Sequence, residues 1–371
     1  MTDGVGASLL EAAGGVKVGV LTLDAPSSLN ALSLPMITAL HSHLARWASD
    51  DAVRAVWLEG AGEKAFCAGG DIRSFYHRRD EAGLFAYASD FFEREYRLDH
   101  AIHTYPKPVL CLGHGIVMGG GIGLLAGARF RILTEQSLLA MPEVSIGLFP
   151  DVAGSWFLPR MPGRLGLWLG LTGARFNGSD ALALGLADAL IPAERRGDLK
   201  ARLLEIDWQL SGEALDQAIH EQIHALGMGM EAPAPRLLPH QGRIDALLAG
   251  RAFPVVLAQL LDADLADEPE LAAAQAQCRA GSPLSRALVW QQYTEARQHS
   301  LAEIFADELT LAVNCALHGD FIEGVRALLI DKDKRPRWRF ASEAEIPAEW
   351  LERMWQWPSG RHPLWSELGR A

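Results

Sequence analysis

At 371 residues the chain is long enough for one large domain plus a smaller one with an ample core. Its 49% hydrophobic and 22% charged residues are those of a soluble globular protein, and a formal net charge of −12 argues against a nucleic-acid surface, which needs clustered Lys and Arg. Cys67, Cys111, Cys278 and Cys315 are scattered, with no CxxC pair and no metal-ligand spacing, so reduced thiols in the cytoplasm and no metal site are expected.

The N-terminal stretch carries Asp3 instead of a basic segment and lacks the Arg-rich character of a transit peptide, so neither export nor organelle import is expected. "LLEAAGGVKVGVLTLD" predicts two strands around a turn at Gly14 and Gly15. "SLPMITALHSHLARWASD" predicts a helix capped by Ser33 with Pro35 in its first turn. "AVRAVWLEG" and "KPVLCLGHG" read as buried strands. Glycine-rich "MGGGIGLLAGA" should open a helix, and "RFRILTE" and "SLLAMPEV" return as strands. The longest uninterrupted apolar run, residues 115–128, is full of glycine and shorter than the roughly 20 residues that span a bilayer, so no membrane association is expected. Repeated strand–helix–strand units place the chain in the α/β class.

After Pro192 the character changes. "DLKARLLEID", "GEALDQAIHEQIHAL", "RIDALLAG" and "FPVVLAQLLDAD" carry helical periodicity, and a Pro/Gly-rich break spans residues 227–242. "SPLSRALVWQQYTEARQ" and "SLAEIFADELTLAVNCALHG" predict further helices capped by Ser282 and Ser300. The division drawn from this is 1–195 for an α/β core and 196–371 for a helical region with an extended tail. Trp338, Trp350, Trp355, Trp357 and Trp365 in that tail argue for packing against a surface, since aromatic side chains bury large areas.

Within this frame "MPEVSIGLFPD", residues 141–151, places Glu143 and Asp151 eight positions apart in an otherwise apolar stretch. Burying a carboxylate without a partner is costly, which favours a chemical role for both. Two glycine-rich turns also follow buried strands, "AFCAGGDIRSF" and "HGIVMGGGIGLL". Glycine lets backbone N–H groups approach a ligand, and two such turns facing one another suit an oxygen that becomes an oxyanion. Tight packing is the alternative for either turn alone. Gly121, Gly123 and Ala126 also fit a G-x-G-x-x-A dinucleotide fingerprint, though late in the chain and without a suitably placed acid. There is no GxSxG elbow and no phosphate-binding GxxxxGK[ST] loop. His41 and His43 fall on different faces of their helix, and His114 reads as a residue that fixes local backbone.

Taken in order and spacing, "AFCAGGDI", "HGIVMGGGIGL" and "MPEVSIGLFPDVAGSWFLPR" resemble the enoyl-CoA hydratase/isomerase (crotonase) superfamily, and the resemblance covers residues 8–195. "FFEREY" (91–96), "GLFPDV" and "GDFIEGVRALLIDKDKRPRW" (319–338) are similar to a hydrolase subgroup of that superfamily, which acts on short branched 3-hydroxyacyl-CoA thioesters. The resemblance implies a crotonase-like spiral of ββα units with a helical C-terminal region. It also implies a trimer-type homo-oligomer and no cofactor beyond the coenzyme A carried by the substrate.

By the same resemblance the N–H groups of Gly70 and Gly120 would form the oxyanion hole, with Gly69, Asp71 and Gly119 shaping the substrate-binding turns. Glu143 would activate water or attack the thioester carbonyl directly, and Asp151 would orient the 3-hydroxyl or the water. Glu95 matches a substrate-contacting glutamate of the subgroup. Hydratases of the superfamily carry a second glutamate where this chain has Gly123. That departure counts against an enoyl-CoA hydratase or isomerase, and the retained acids count against a non-catalytic acyl-CoA-binding protein. Arg73, Lys332 and Lys334 are candidates for holding the CoA phosphates.

Overall fold

The computed structural model describes residues 3–365. Its backbone forms two compact units that interleave along the chain. The first takes the residues up to Gly70, Arg97–Leu139 and Phe176–Pro235; the second takes Asp71–Tyr96, Ala140–Arg175 and the residues from Arg236 on.

The first unit carries the sheets. The strands are β1 (Val5–Ala12), β2 (Val16–Leu23), β3 (Val53–Gly60), β4 (Ala65–Cys67), β5 (Val109–Gly113), β6 (Ile116–Met118), β7 (Phe130–Thr134), β8 (Leu138–Ala140), β9 (Phe176–Asn177) and β10 (Ala189–Ile191). One sheet has the order β1-β2-β3-β5-β7-β10 and the other β4-β6-β8-β9. β1 and β2 form the expected antiparallel hairpin, turned through Gly14 and Gly15 at φ of 80° and 75°. From β2 to β10 the pairing is parallel. A parallel strand is covered on both faces, which is why β5 reads "VLCLG" and is buried at every position.

α1 (Leu34–Ala48) follows β2, and the Ser33 hydroxyl accepts the Met36 N–H as its N-cap. Met36, Ile37, Leu40, Leu44 and Trp47 are its buried residues, at three- and four-residue spacing. Gly19 of β2 makes room for it: a Cβ there would lie 2.5 Å from the Trp47 ring. Ala55, Trp57, Leu110, Leu112, Phe130 and Ile132 form a core cluster with Leu199, Leu203, Ile219 and Ile223, which come from the helices Arg196–Leu204 and Gly212–Gly227. All residues after β10 are helix, turn or loop within the described chain, matching the change of pattern near residue 195.

The second unit is helical. It contains α2 (Arg73–His77) and the first part of α3 (Glu81–His103), with the boundary falling after Tyr96. Further helices span Leu165–Thr172, Pro283–Glu295 and Leu301–Leu317. Leu165–Thr172 is buried all round, as its unbroken run of Leu, Gly and Trp requires. Ser282 and Ser300 cap the last two helices as expected, Ser300 in a reciprocal capping box with Glu303. Phe75, Phe91, Phe92 and Phe321 cluster with ring centroids 5.1–6.2 Å apart. The tail is packed: Trp338 Nε1 donates to the Ala280 carbonyl at 2.9 Å and Trp355 Nε1 to Gln291 at 3.0 Å.

One expectation is corrected here. "SLLAMPEV" reads as a strand through Val144, yet β8 stops at Ala140, and Glu143–Ile146 is a 3-10 turn. Pro142 has no N–H for a ladder and sits at φ −86°, ψ 13°, and Gly147 closes the turn at φ +75°. A Cβ on Gly147 would lie 2.4 Å from the Asp320 backbone, so only glycine fits that closure.

Together with α4 (Gly120–Ala126), which follows β6, this is a mixed α/β protein of parallel strands and many helices.

Candidate active site

The glycine turns lie in the first unit. β4 ends at Cys67, and Gly69 follows at φ +104°. Leu32 bridges across Gly70, its N–H donating to the Gly69 carbonyl at 2.8 Å. That parallel bridge uses the groups flanking Gly70 and not its own N–H. β6 ends at Met118, and Gly119 at φ +50° turns the chain into α4. Gly120 is the first residue of α4, so its N–H has no intrahelical acceptor. The two turns approach one another, for a Cβ on Gly69 would lie 3.4 Å from the Met118 carbonyl and 3.8 Å from the Gly120 nitrogen. Gly121 is explained by packing: a Cβ there would meet the Cys67 carbonyl at 2.5 Å. Close approach of α4 to β4, not a dinucleotide, accounts for glycine at that position. His114 is buried with Nε2 2.9 Å from the Gly62 carbonyl, which ties down the backbone before β6.

The acids lie in the second unit. Glu143 opens the 3-10 turn after β8, and its carbonyl accepts the Leu148 N–H at 3.0 Å. Its side chain is only 5% exposed, and Oε2 has no hydrogen-bond partner. Burial, and then the charge of Asp151, push its carboxyl well above the usual carboxylate range. Asp151 is equally buried, and its Oδ2 accepts the Tyr96 hydroxyl at 2.6 Å. Burial raises Asp151 to about 6 even though the Tyr96 hydrogen bond favours its ionised form. Tyr96 is pushed far up by burial, then by the charges of Asp151 and Glu308, with Glu95 adding to them. Its ring lies between Phe92 and Phe305, at 5.8 and 6.0 Å.

A third acid belongs to the same cluster. Glu308 is fully buried on helix Leu301–Leu317, and its oxygens accept the backbone N–H groups of Ala153 at 2.8 Å and Ser155 at 3.0 Å. Burial and the Asp151 charge raise it to about 8, against the pull of those N–H groups. Gln292 donates to the Ser155 hydroxyl at 2.6 Å.

The structure thus brings Glu143 and Asp151 within electrostatic reach of one another, with Glu95 buried next to Tyr96. The Asp71 carboxylate accepts the Ser74 hydroxyl at 2.7 Å at the start of α2. Arg73, Lys332 and Lys334 are exposed, the two lysines with φ of 57° and 55° in a loop where Arg326 pairs with Glu323, Asp331 and Asp333. Reasoning from sequence missed Tyr96 and Glu308. Tyr96 follows Glu95 directly in "FFEREY". Glu308 follows Asp307 in "IFADELTLAV", so the sequence shows an acid pair on an otherwise apolar helix and does not tell the buried acid from Asp307, which pairs with His299.

Among the described residues no group of His, Cys, Asp and Glu could hold a metal ion, and no helix is long and apolar enough to cross a membrane.

A family model described as enoyl-CoA hydratase/isomerase matches residues 18–355. The 3-hydroxyisobutyryl-CoA hydrolase, mitochondrial, of Danio rerio is 39% identical over 91% of this chain and 86% of its own length. The protein of the same name from Homo sapiens is 37% identical over 94% and 88%. Among solved structures, an enoyl-CoA hydratase from Rhodobacter sphaeroides 2.4.1 is 35% identical with a TM-score of 0.80, covering 94% of this chain and 96% of that one. A carnitinyl-CoA dehydratase from Mycobacterium thermoresistibile is 34% identical with a TM-score of 0.82, covering 96% and 97%.

Proposed function

The chain belongs to the enoyl-CoA hydratase/isomerase family, and from that premise we propose that it is an acyl-CoA thioester hydrolase converting 3-hydroxyisobutyryl-CoA and water into 3-hydroxyisobutyrate and CoA. The observation that carries the reading is the make-up of the acid site. Glu143 is buried with one carboxylate oxygen unpartnered, and Asp151 stands near it, fixed by Tyr96. The superfamily's hydratases work with a second glutamate, and the corresponding position here is Gly123, buried in α4. The two solved structures are named for hydration and dehydration, but this chain lacks the second acid for that chemistry, and the hydrolase names of the relatives fit what remains.

In this reading Glu143 supplies the oxygen nucleophile, either by taking a proton from water or by attacking the carbonyl carbon to form an anhydride that water then opens. The C–S bond breaks, and the CoA thiolate leaves and takes up a proton. The oxyanion is assigned to the N–H groups of Gly70 and Gly120, which point to no intrahelical or bridge acceptor. Asp151 is assigned to the 3-hydroxyl, with Glu95, Gly69, Asp71 and Gly119 shaping the substrate site. Arg73, Lys332 and Lys334 stay the proposed contacts of the CoA phosphates. No cofactor beyond the substrate's own CoA enters this chemistry. Valine breakdown, a cytoplasmic location and a trimer-type homo-oligomer complete the proposal. The relatives' names read mitochondrial, so cell fractionation is the measurement for location.

The test is a panel of acyl-CoAs with a thiol reagent. Release of CoA from 3-hydroxyisobutyryl-CoA, with isobutyryl-CoA a far poorer substrate, is the expected outcome, because a site that hydrogen-bonds a hydroxyl rejects the analogue lacking it. Hydration of crotonyl-CoA without CoA release would replace the hydrolase by a hydratase. Binding without turnover would leave only an acyl-CoA-binding protein.

A further inference from the structure

We propose that Glu308 is a positioning residue for the reaction: its buried carboxylate clamps the turn that presents Asp151. The inference rests on the hydrolase reading above and goes beyond it. Between Asp151 and Ser155 the backbone takes a conformation it would not hold by itself. Val152 and Ala153 are successive non-glycine residues in the left-handed region, at φ of 50° and 69°. A run of this kind turns neighbouring N–H groups toward a common point and makes a concavity for an anion. Here the carboxyl group of Glu308 fills it, its two oxygens taking the Ala153 and Ser155 N–H groups at 2.8 and 3.0 Å.

The clamp has a second tier. The Asp151 carbonyl accepts the Gly154 N–H at 2.7 Å, closing the turn from within. Gln292 holds the Ser155 hydroxyl at 2.6 Å, and Ser155 in turn supports the Glu308 carboxylate. On the side-chain end, Tyr96 donates to Asp151 Oδ2 at 2.6 Å. Helix Leu301–Leu317 therefore reaches both ends of the arrangement, packing Phe305 on the Tyr96 ring and placing Glu308 under the turn. Residues three apart share a helix face, so one element sets both. Mere stabilisation is a weak reason for this design. Glycine at 152 and 153 would form the turn without strain, and no buried carboxylate would be needed. Strained backbone kept by a dedicated buried carboxyl group beside a reacting acid is the pattern of a site that requires one geometry.

Glu308→Gln keeps the volume but sets an NH2 group against one of the two backbone donors. For the full chain, kcat on 3-hydroxyisobutyryl-CoA per folded molecule is expected to fall about 10- to 100-fold with KM within about threefold, the signature of a misplaced reacting group. In that background Asp151→Asn is expected to cost less than about threefold, far less than in the wild type, because the turn no longer presents it. Ala153→Gly added to Glu308→Gln should restore thermal stability, as glycine accepts the left-handed angle, without restoring kcat. That double variant also serves if Glu308→Gln alone folds poorly. Undiminished cost of Asp151→Asn in the Glu308→Gln or the double background, or recovery of kcat in step with stability, would overturn the clamp. A wild-type protein that releases no CoA from 3-hydroxyacyl-CoAs would overturn the hydrolase reading, and the clamp with it. An active wild type with additive variants would overturn the clamp alone.

Discussion

Glu143 and Asp151 stand in a setting that opposes full charge on both: each is buried, and the charge of Asp151 raises the proton affinity of Glu143 further. They titrate as a pair, so the acidic limb of kcat/KM belongs to both acids. Because Asp151 is raised to about 6 and Glu143 lies above its ordinary range, that limb is expected at pH 6 or higher, well above a surface carboxylate. Asp151→Asn removes the negative charge that raises Glu143. Residual activity in this variant should have its acidic limb at lower pH than the wild type. A pH–rate profile checks this, and an unmoved limb would mean the two acids are not coupled. Glu143→Gln should lower kcat by about a hundred- to ten-thousand-fold while acyl-CoA still binds, as for loss of a general base. Hydrolysis in heavy-oxygen water then separates the two routes. Label in the protein carboxylate after repeated turnovers marks the anhydride, and label confined to the product acid marks water attack. Near-normal turnover by the folded Glu143→Gln protein would end both.

At the scale of elements, two helices carry the testable consequences. α4 begins at Gly120, a first helical position that tolerates proline as far as the helix is concerned. Gly120→Pro deletes that N–H, its ring also pressing on the Gly119 turn, and loss of one oxyanion donor costs on the order of a hundred- to thousand-fold in turnover. Wild-type rates in a folded Gly120→Pro protein would remove Gly120 from the mechanism. Helix Leu301–Leu317 holds Glu308, raised in the folded state to about 8 from 4.5. A raised acid binds its proton more tightly when folded. Its contribution to stability is therefore full below pH 4.5 and lost as pH rises toward 8. Thermal melts across that window should fall less steeply for Glu308→Gln than for the wild type, and parallel curves would contradict the buried, proton-retaining environment.

Across the whole molecule, the cysteines make a simple statement about the core. Cys67, Cys111, Cys278 and Cys315 are all buried and none forms a disulfide. Burial pushes the thiols of Cys111 and Cys315 up, and that of Cys278 to about 12. The reactive species is the thiolate, so the native protein should resist alkylation at pH 8 and the denatured protein should take up label at all four positions. Rapid labelling of the native chain would show the core opening far more readily than its packing implies. Resistance would also let a thiol reagent report released CoA without interference from the enzyme.

Local signals in the sequence determined local structure, because the groups that decide it are neighbours. Ser33, Ser282 and Ser300 cap helices through N–H groups three residues on, and Gly14 and Gly15 turn a hairpin between adjacent strands. The oddity of Glu143 and Asp151 in an apolar stretch was likewise visible, since the cost of a buried charge does not depend on the fold. What tertiary structure alone decided was which glycines are there for packing and who holds Asp151. Gly121 is glycine because Cys67 of β4 lies against it, and Glu308 meets Ala153 across 155 positions of chain. Such partners are selected by the space left after strands and helices have packed, and a sequence read along its length carries the cost of the buried charge but not the address of the group that relieves it.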